Sequence, residues 1–502
     1  MSKKFYITTP LYYLSGTAHI GHAYTTLAAD VIARYQKGKG RQVHFLTGSD
    51  EHGANIEKVS AQVGKTPAQW TDELADSWQK LWASLEVQHS DFIRTTEPRH
   101  EKPVQRVFEI LLEKGDIYKG SYEGWYCTPC ENYLDPAELV NGKCPLHDCK
   151  AEQAREETYF FRLSKYQQAL LDHYEKNPEF LSPKSRSREI INFVKSGLQD
   201  TSISRSKVSW GIPIPGDPKK TIYVWFDALL NYATAVGLAE KLGLPEGGAL
   251  SRGRKFDEFW PADIHLVGKE IYRFHAVLWP AMLMALGLPL PKKVFAHGWW
   301  TVNGEKMSKT RGNVVNPEDY AREYGVDALR YFVFREVPFG NDGDFSDAAF
   351  AQRYNSELAN SLGNLLSRTL NMVDKYIGGK LPGDDYKGGE LYAALAAHGP
   401  AIDAHMEALE LDKALDRIWC AVAEMNQAID RNKPWVMAKE NPAGLEPFLL
   451  ELSAGLRLVS GWLEPFMPET AGKMRAQLTA PRKTGEKMAP LFPRKEAAKP
   501  AK

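Results

Sequence analysis

The sequence predicts an α/β protein in which one parallel sheet is split by a long insertion and followed by a region of helices alone. Three observations carry this. Strand, helix and strand patterns succeed one another within about 45 residues at the N-terminus, a βαβ unit. The same rhythm returns near residue 263. From about Ser346 strand signals stop, and apolar residues recur with the 3.6-residue period of helices.

Residues 4–10 (KFYITTP) read as a short strand of aromatic and β-branched residues ended by proline. A turn at Ser15-Gly16 leads into a helical pattern over 19–37. Residues 42–47 (QVHFLT) form a second buried strand, closed by Gly48-Ser49-Asp50. Later, 263–267 (DIHLV) is a strand, 270–286 a helix and 293–296 another strand. The most economical topology puts these strands in one sheet, with residues 116–221 inserted. The ligand crevice is then expected outside the carboxyl ends of the strands. Leu358, Leu362, Leu365 and Leu366 open the helical region, and stretches at 392–409, 412–431 and 445–464 complete a bundle. Residues 482–502 carry seven Lys or Arg and two Glu, which predicts a mobile basic end.

The 502 residues suggest about three domains, and 43% apolar with 25% charged residues excludes wholesale disorder. The longest apolar run, 276–291, is interrupted by Pro280 and Pro289 and is too short to span a membrane. The first residues lack the apolar stretch of a secretion signal, so a cytoplasmic location is expected. The 63 basic residues balance 63 acidic ones, which on its own argues against a nucleic-acid partner. Five cysteines are too few for a disulfide scaffold. Cys420, on an apolar helical pattern, reads as a small buried hydrophobe.

Three motifs carry chemistry. His19-Ile20-Gly21-His22 stands where the first strand hands over to the first helix, a place that favours anions. Its two histidines share a helix face, and Gly21 allows a bulky ligand near the backbone. Lys306-Met307-Ser308-Lys309-Thr310 follows the hairpin signal Asn303-Gly304, and its two lysines suit the β and γ oxygens of a triphosphate. Cys127-x2-Cys130-x13-Cys144-x2-His147 has the spacing of a closed, structural Zn2+ site with one ion per chain. Only three of these ligands follow from spacing. The fourth could be His147 or Cys149, and His147 is preferred because it completes a second two-residue knuckle.

Taken in order, HIGH and KMSKT resemble the two signatures of class I aminoacyl-tRNA synthetases. Further runs resemble the methionyl-tRNA synthetase family: TTPLYY from Thr8, TGSDEHG from Thr47, YVWFDA from Tyr223 and GKEIYRFH from Gly268. The likeness extends from Phe5 to about Pro493. It implies a split Rossmann-type catalytic domain (1–115 and 222–345), a connective insertion with a zinc knuckle (116–221), an anticodon-binding helical bundle (346–480) and a basic tail (481–502). By the same resemblance, Leu11, Tyr13, Trp225, Tyr232, Ile271, Phe274 and His275 line a methionine pocket, and Asp50 holds the substrate ammonium. Leu229 stands where some members carry proline. Gly268 and Glu270 match contacts to ribose and adenine, while His19, Gly21, His22, Lys306 and Lys309 match the ATP phosphate site. His19, His22, Lys306 and Lys309 are the expected catalytic group. Asn364, Arg368 and Trp435 match anticodon readers, the first two one helical turn apart and the tryptophan suited to stacking on an unpaired base.

The implied reaction joins L-methionine to the terminal adenosine of tRNA(Met) through methionyl-adenylate, with Mg2+ accompanying ATP. An enzyme for leucine, isoleucine or valine would need a larger insertion for editing. A cysteinyl enzyme would need thiolates near the first signature, and no cysteine precedes Cys127. A non-catalytic tRNA-binding derivative would not need His19, His22 and Lys309. With nine residues after Pro493 there is no room for a C-terminal dimerising domain, so a monomer is expected. Zero net charge then means that the positive surface for tRNA is local, and that affinity should fall steeply with salt.

Overall fold

The computed structural model describes residues 4–127, 132–134, 139–145, 149–244, 256–307, 312–383, 385–386, 388–479 and 489–495. The chain forms two compact units, one of residues 1–18, 40–83 and 87–297, the other of residues 19–39, 84–86 and 298–502.

The first unit is built on a seven-stranded sheet. Its strands are β1 (Lys4–Thr8), β2 (Tyr12–Tyr13), β3 (Gln42–Asp50), β4 (Asp91–Arg94), β5 (Leu181–Ser182), β6 (Ile264–Gly268) and β7 (Val294–His297). The order is β2-β3-β1-β6-β7-β5, β4 also pairs with β3, and every pairing is parallel. The predicted split sheet is therefore present, with β1 and β6 joining its two halves. Strand β5 comes from within residues 116–221, so that segment returns one strand to the main sheet. The rest of the segment includes a four-stranded antiparallel sheet led by Ile117–Cys127 and Glu152–Phe161.

Two local expectations are corrected. Gly48-Ser49-Asp50 does not close β3; the strand continues because Tyr12 and Tyr13 pair with Ser49 and Asp50. Gly48 is needed for close packing, since a Cβ there would lie 2.0 Å from the Ile93 carbonyl oxygen and 2.8 Å from Leu11. The single helix expected over 270–286 is three pieces: a 3-10 turn at Lys269–Ile271, a π-helical segment at Phe274–Leu278 and an α-helix at Trp279–Leu286. Pro280 has no N–H to return to the Ala276 carbonyl four residues earlier. The Tyr174 hydroxyl donates to that carbonyl instead, at 2.7 Å.

The second unit contains the helix Ile20–Gly38 and the helical region. The predicted stretches appear as Leu411–Asn432 and Pro442–Leu463, while 392–409 is divided into Glu390–Ala396 and Gly399–Glu407, with Pro400 in the first turn of the latter. Cys420 is exposed, contrary to its reading as a core residue. It falls with Lys413, Asp416, Arg417 and Ala423 on the outward stripe of its helix, while Leu415, Ile418, Val422 and Met425 turn inward. Residues 489–495 of the tail, expected to be mobile, are instead held in place. Phe492 is buried, Tyr354 donates to the Pro493 carbonyl at 2.9 Å, and Asn355 exchanges two hydrogen bonds with the Lys495 backbone. One buried aromatic and a paired backbone are enough to dock residues 489–495 along the π-helical segment Tyr354–Gly363.

Candidate active site

In the first unit, the carboxyl ends of β3 and β6 carry Asp50 and Gly268. Leu11, Tyr13, Asp50, Trp225, Ile271 and Phe274 are all partly exposed, while Tyr232 and His275 are buried. Trp225 and Phe274 stack face to face, with ring centroids 3.9 Å apart and planes 4° from parallel, and His275 meets Trp225 edge-on. The His275 Nδ1–H donates to the Ile271 carbonyl at 2.9 Å, so Nε2 accepts from the Tyr232 hydroxyl at 2.7 Å. This arrangement requires a neutral ring. Burial pulls the His275 pKa down to about 4, only partly offset by the Ile271 carbonyl.

A second histidine, His265, stands outside the residues that the family resemblance implies. It is buried against Tyr232, accepts from the Trp279 indole N–H at 3.2 Å and lies 2.8 Å from the Thr8 hydroxyl. Burial again, and then the neighbouring His275, hold its pKa well below normal. A histidine inside the apolar strand DIHLV was the available signal.

These rings make stability fall with acid. Between about pH 6.5, where an unfolded histidine titrates, and about pH 4, the unfolded chain binds protons that folded His275 refuses. The contribution of His275 is complete above pH 6.5 and is lost toward pH 4, a change of about 3 kcal/mol. His52 acts in the opposite sense. Burial lowers its pKa, but the facing Asp227 carboxylate outweighs this and the net shift is upward. Urea midpoints measured across this range should fall with acid, and His275→Gln should flatten the profile.

Gly268 precedes the short turn that carries Glu270. A Cβ on Gly268 would lie 2.5 Å from both Glu270 carboxylate oxygens, so glycine is what lets this acid fold back over the strand end.

In the second unit, His19 caps the helix Ile20–Gly38. Its Nδ1 accepts the Gly21 N–H at 3.0 Å, and His22 Nδ1 accepts the His19 N–H at 3.2 Å. Both acceptors are Nδ1, so both rings carry their proton on Nε2, the atom able to donate to a phosphate. The rings lie 3.9 Å apart. Gly21 has a nearer purpose than ligand access: a Cβ there would sit 2.9 Å from the His19 ring. The same position would lie 3.9 Å from Met307, and Ile20 N–H donates to the Val315 carbonyl at 3.0 Å. The two signatures are thus neighbours. The predicted hairpin is present, with Trp300–Val302 paired to Glu305–Lys306 across Asn303 and Gly304, both at positive φ. Lys306 rests over the Trp299 ring. Ser308, Lys309 and Thr310 lie outside the described residues.

Cys127 and Cys144 are buried and Cys149 is partly exposed. The sulfurs of Cys127 and Cys149 are 3.4 Å apart, and Cys144 N–H donates to the Cys149 carbonyl. Cys130 and His147 lie outside the described residues, and among the described residues no group of three or more candidate ligands stands ready for a metal. Asn364 is exposed, Arg368 pairs with Asp430 at 3.2 Å, and Trp435 is 46% exposed, an unusual position for so large an apolar ring.

The model of the family described as tRNA synthetases class I (M) matches residues 5–158 and 133–370. The methionine–tRNA ligase of Caldanaerobacter subterraneus subsp. tengcongensis is 50% identical over 483 residues, covering 95% of this chain and 74% of that protein. That of Halalkalibacterium halodurans is 47% identical, covering 95% and 73%. Among solved structures, Mycobacterium tuberculosis methionyl-tRNA synthetase in complex with methionyl-adenylate superimposes with a TM-score of 0.89 at 37% identity, covering 98% of this chain and all of that one. The chain belongs to the methionine–tRNA ligase family.

Proposed function

We propose that the chain activates L-methionine with ATP and transfers it to the 3′-terminal adenosine of tRNA(Met), serving both initiation and elongation of translation. The observation that carries this reading is the aromatic group Trp225, Phe274, Tyr232 and His275, in the same unit as Asp50. A thioether is polarizable and packs well on aromatic faces. Leu11, Tyr13 and Ile271 complete the apolar lining, and Asp50 receives the ammonium. The methionine carboxylate attacks the α-phosphorus of ATP; the new O–P bond forms as pyrophosphate leaves with its electron pair. The terminal ribose hydroxyl of tRNA then takes the methionyl group and AMP departs. No side-chain nucleophile is required, so catalysis is positioning and charge stabilisation. Glu270 accepts the ribose hydroxyls beside Gly268. His19, His22, Lys306 and Lys309 hold phosphate oxygens, with ATP arriving as its Mg2+ complex. Asn364, Arg368 and Trp435 read the anticodon. A monomer is the expected state; light scattering should return a single chain mass. Among the described residues no helix is long and apolar enough to cross a membrane, and the cytoplasm is the expected compartment. Purified protein should show ATP–pyrophosphate exchange that depends on methionine; exchange with another amino acid but not with methionine overturns the reading.

The zinc site fits the thiol donors. A Zn–S bond of about 2.3 Å at tetrahedral angles separates two sulfurs by about 3.8 Å, close to the Cys127–Cys149 spacing. This spacing is compatible with Cys149 as the fourth ligand beside Cys127, Cys130 and Cys144, while His147, preferred from the sequence spacing, lies outside the described residues. Such a closed shell supplies shape and no open position for chemistry. Elemental analysis of the two variants decides between them: loss of most of one equivalent of zinc in Cys149→Ser with retention in His147→Ala assigns Cys149, and the reverse assigns His147.

A further inference from the structure

A buried polar cluster in the first unit is not used by the reaction described above. Asp227, on the short helix Val224–Leu229, is completely buried, and both of its carboxylate oxygens are taken by histidines. His52 Nδ1–H donates to one oxygen at 2.7 Å, and His100 Nε2–H to the other at 2.6 Å. His100, also fully buried, continues to the Thr234 hydroxyl at 2.9 Å. The outer nitrogen of His52 lies 3.8 Å from Glu101, and Trp210 meets its ring edge-on.

The members of this cluster are spaced along the chain in a way that bears on the pocket. His52 follows Asp50 by two residues, Asp227 follows Trp225 by two, and Thr234 follows Tyr232 by two. The end of β3, the helix Val224–Leu229 and the turn Asn231–Thr234 are thereby tied to a single carboxylate, and each carries one pocket residue. His100 brings in a fourth element, the helix Pro98–Glu113. A buried charge held by two charge-assisted hydrogen bonds is costly to assemble compared with apolar packing, and register-setting is the best-attested use of such groups. It is also stiff, because neither oxygen can move without leaving a buried donor unpaired.

We propose that Asp227, clamped by His52 and His100, is a positioning residue that sets the distance between the ammonium-binding carboxylate of Asp50 and the aromatic wall of Trp225 and Tyr232, and so selects the length of the amino-acid side chain. This rests on reading those residues as the methionine pocket. A substrate too short or too long by one atom would either lose the aromatic contact or strain the ammonium contact. Loosening the clamp should therefore weaken methionine binding and relax discrimination, and leave ATP binding alone.

The test uses the whole chain and ATP–pyrophosphate exchange. In Asp227→Asn and His52→Leu, KM for methionine should rise about tenfold, KM for ATP should stay within about twofold, and the preference for methionine over norvaline and ethionine, whose side chains are one atom shorter and one atom longer, should narrow. In His52→Asn an amide nitrogen stands near the position of Nδ1, so it can still donate to Asp227; its methionine KM should return to within about threefold of the parent. The KM split and the rescue would not follow from a merely structural role. The proposal is overturned if His52→Leu lowers the melting temperature but leaves methionine KM within twofold, if both KM values rise together, or if the asparagine variant is as impaired as the leucine one. If Asp227→Asn fails to fold, the His52 pair decides alone. A parent protein inactive with methionine would defeat the pocket reading itself, whereas an active parent with unmoved variants defeats only the clamp.

Discussion

Arg330→Leu is expected to lower stability by about 3–5 kcal/mol, the scale for removing one partner of a buried ion pair. Arg330 lies on the helix Val326–Arg335 and is fully buried. Its guanidinium donates to Asp30 Oδ2 at 2.6 Å, to the Phe466 carbonyl at 2.9 Å and to the Pro465 carbonyl at 3.1 Å. Asp30, equally buried on the helix Ile20–Gly38, also receives the Arg34 Nε–H at 2.7 Å. Leucine would leave a buried carboxylate with one cation in place of two, and the Phe466, Pro465 and Leu85 carbonyls without the Arg330 donor. Equilibrium unfolding in urea, followed by circular dichroism, should show the midpoint fall. Asp30→Leu combined with Arg330→Leu should be less damaging than the sum of the single changes, since the double variant strands no charge at position 30. Additive losses would mean that the pair contributes through packing alone.

The sheet was legible because its strands are short apolar runs bounded by Pro, Gly and Asp, and the βαβ spacing leaves few topologies open. Strand β5 was not, since two residues, Leu181 and Ser182, present no periodicity to detect. The break in 270–286 was visible as Pro280, but nothing local indicated that Tyr174, more than a hundred residues earlier, would take the carbonyl that the proline leaves open. Cys420 shows the converse limit. Four apolar neighbours made it look buried, although position on the helix surface depends on phase rather than on neighbours. For the site, likeness to a family named candidate pocket residues but not the groups packed behind them. His265, His52, His100 and Asp227 act through contacts between segments distant in sequence, and only the fold brings them together. The tail has a related limit: basic composition argues for mobility, and a single buried aromatic, Phe492, reverses it at residues 489–495.

The larger effect on chemistry is expected at His19, where two roles have to be separated. The ring caps the helix Ile20–Gly38 through Nδ1, and this alone would justify its presence. Capping needs only an acceptor close to the backbone, which asparagine supplies at least as well. Donation to a phosphate needs Nε2–H, which lies farther out on the ring and which the capping bonds fix in its protonated form. His19→Asn keeps the acceptor and lacks the reach. Its melting temperature should stay near that of the parent, while methionine-dependent ATP–pyrophosphate exchange should fall about 10²–10³-fold, the scale for losing one donor to a developing oxyanion. His19→Gln, whose amide nitrogen extends to about the Nε2 position, should lose less activity and more helix stability. An asparagine variant that melts normally and exchanges at the parental rate would assign His19 to the cap alone, leaving His22 and the two lysines to stabilise the charge. The reverse pattern, loss of rate with an unchanged melt, cannot come from fraying of the helix, because the cap is still made; it requires that the outer nitrogen meets the substrate.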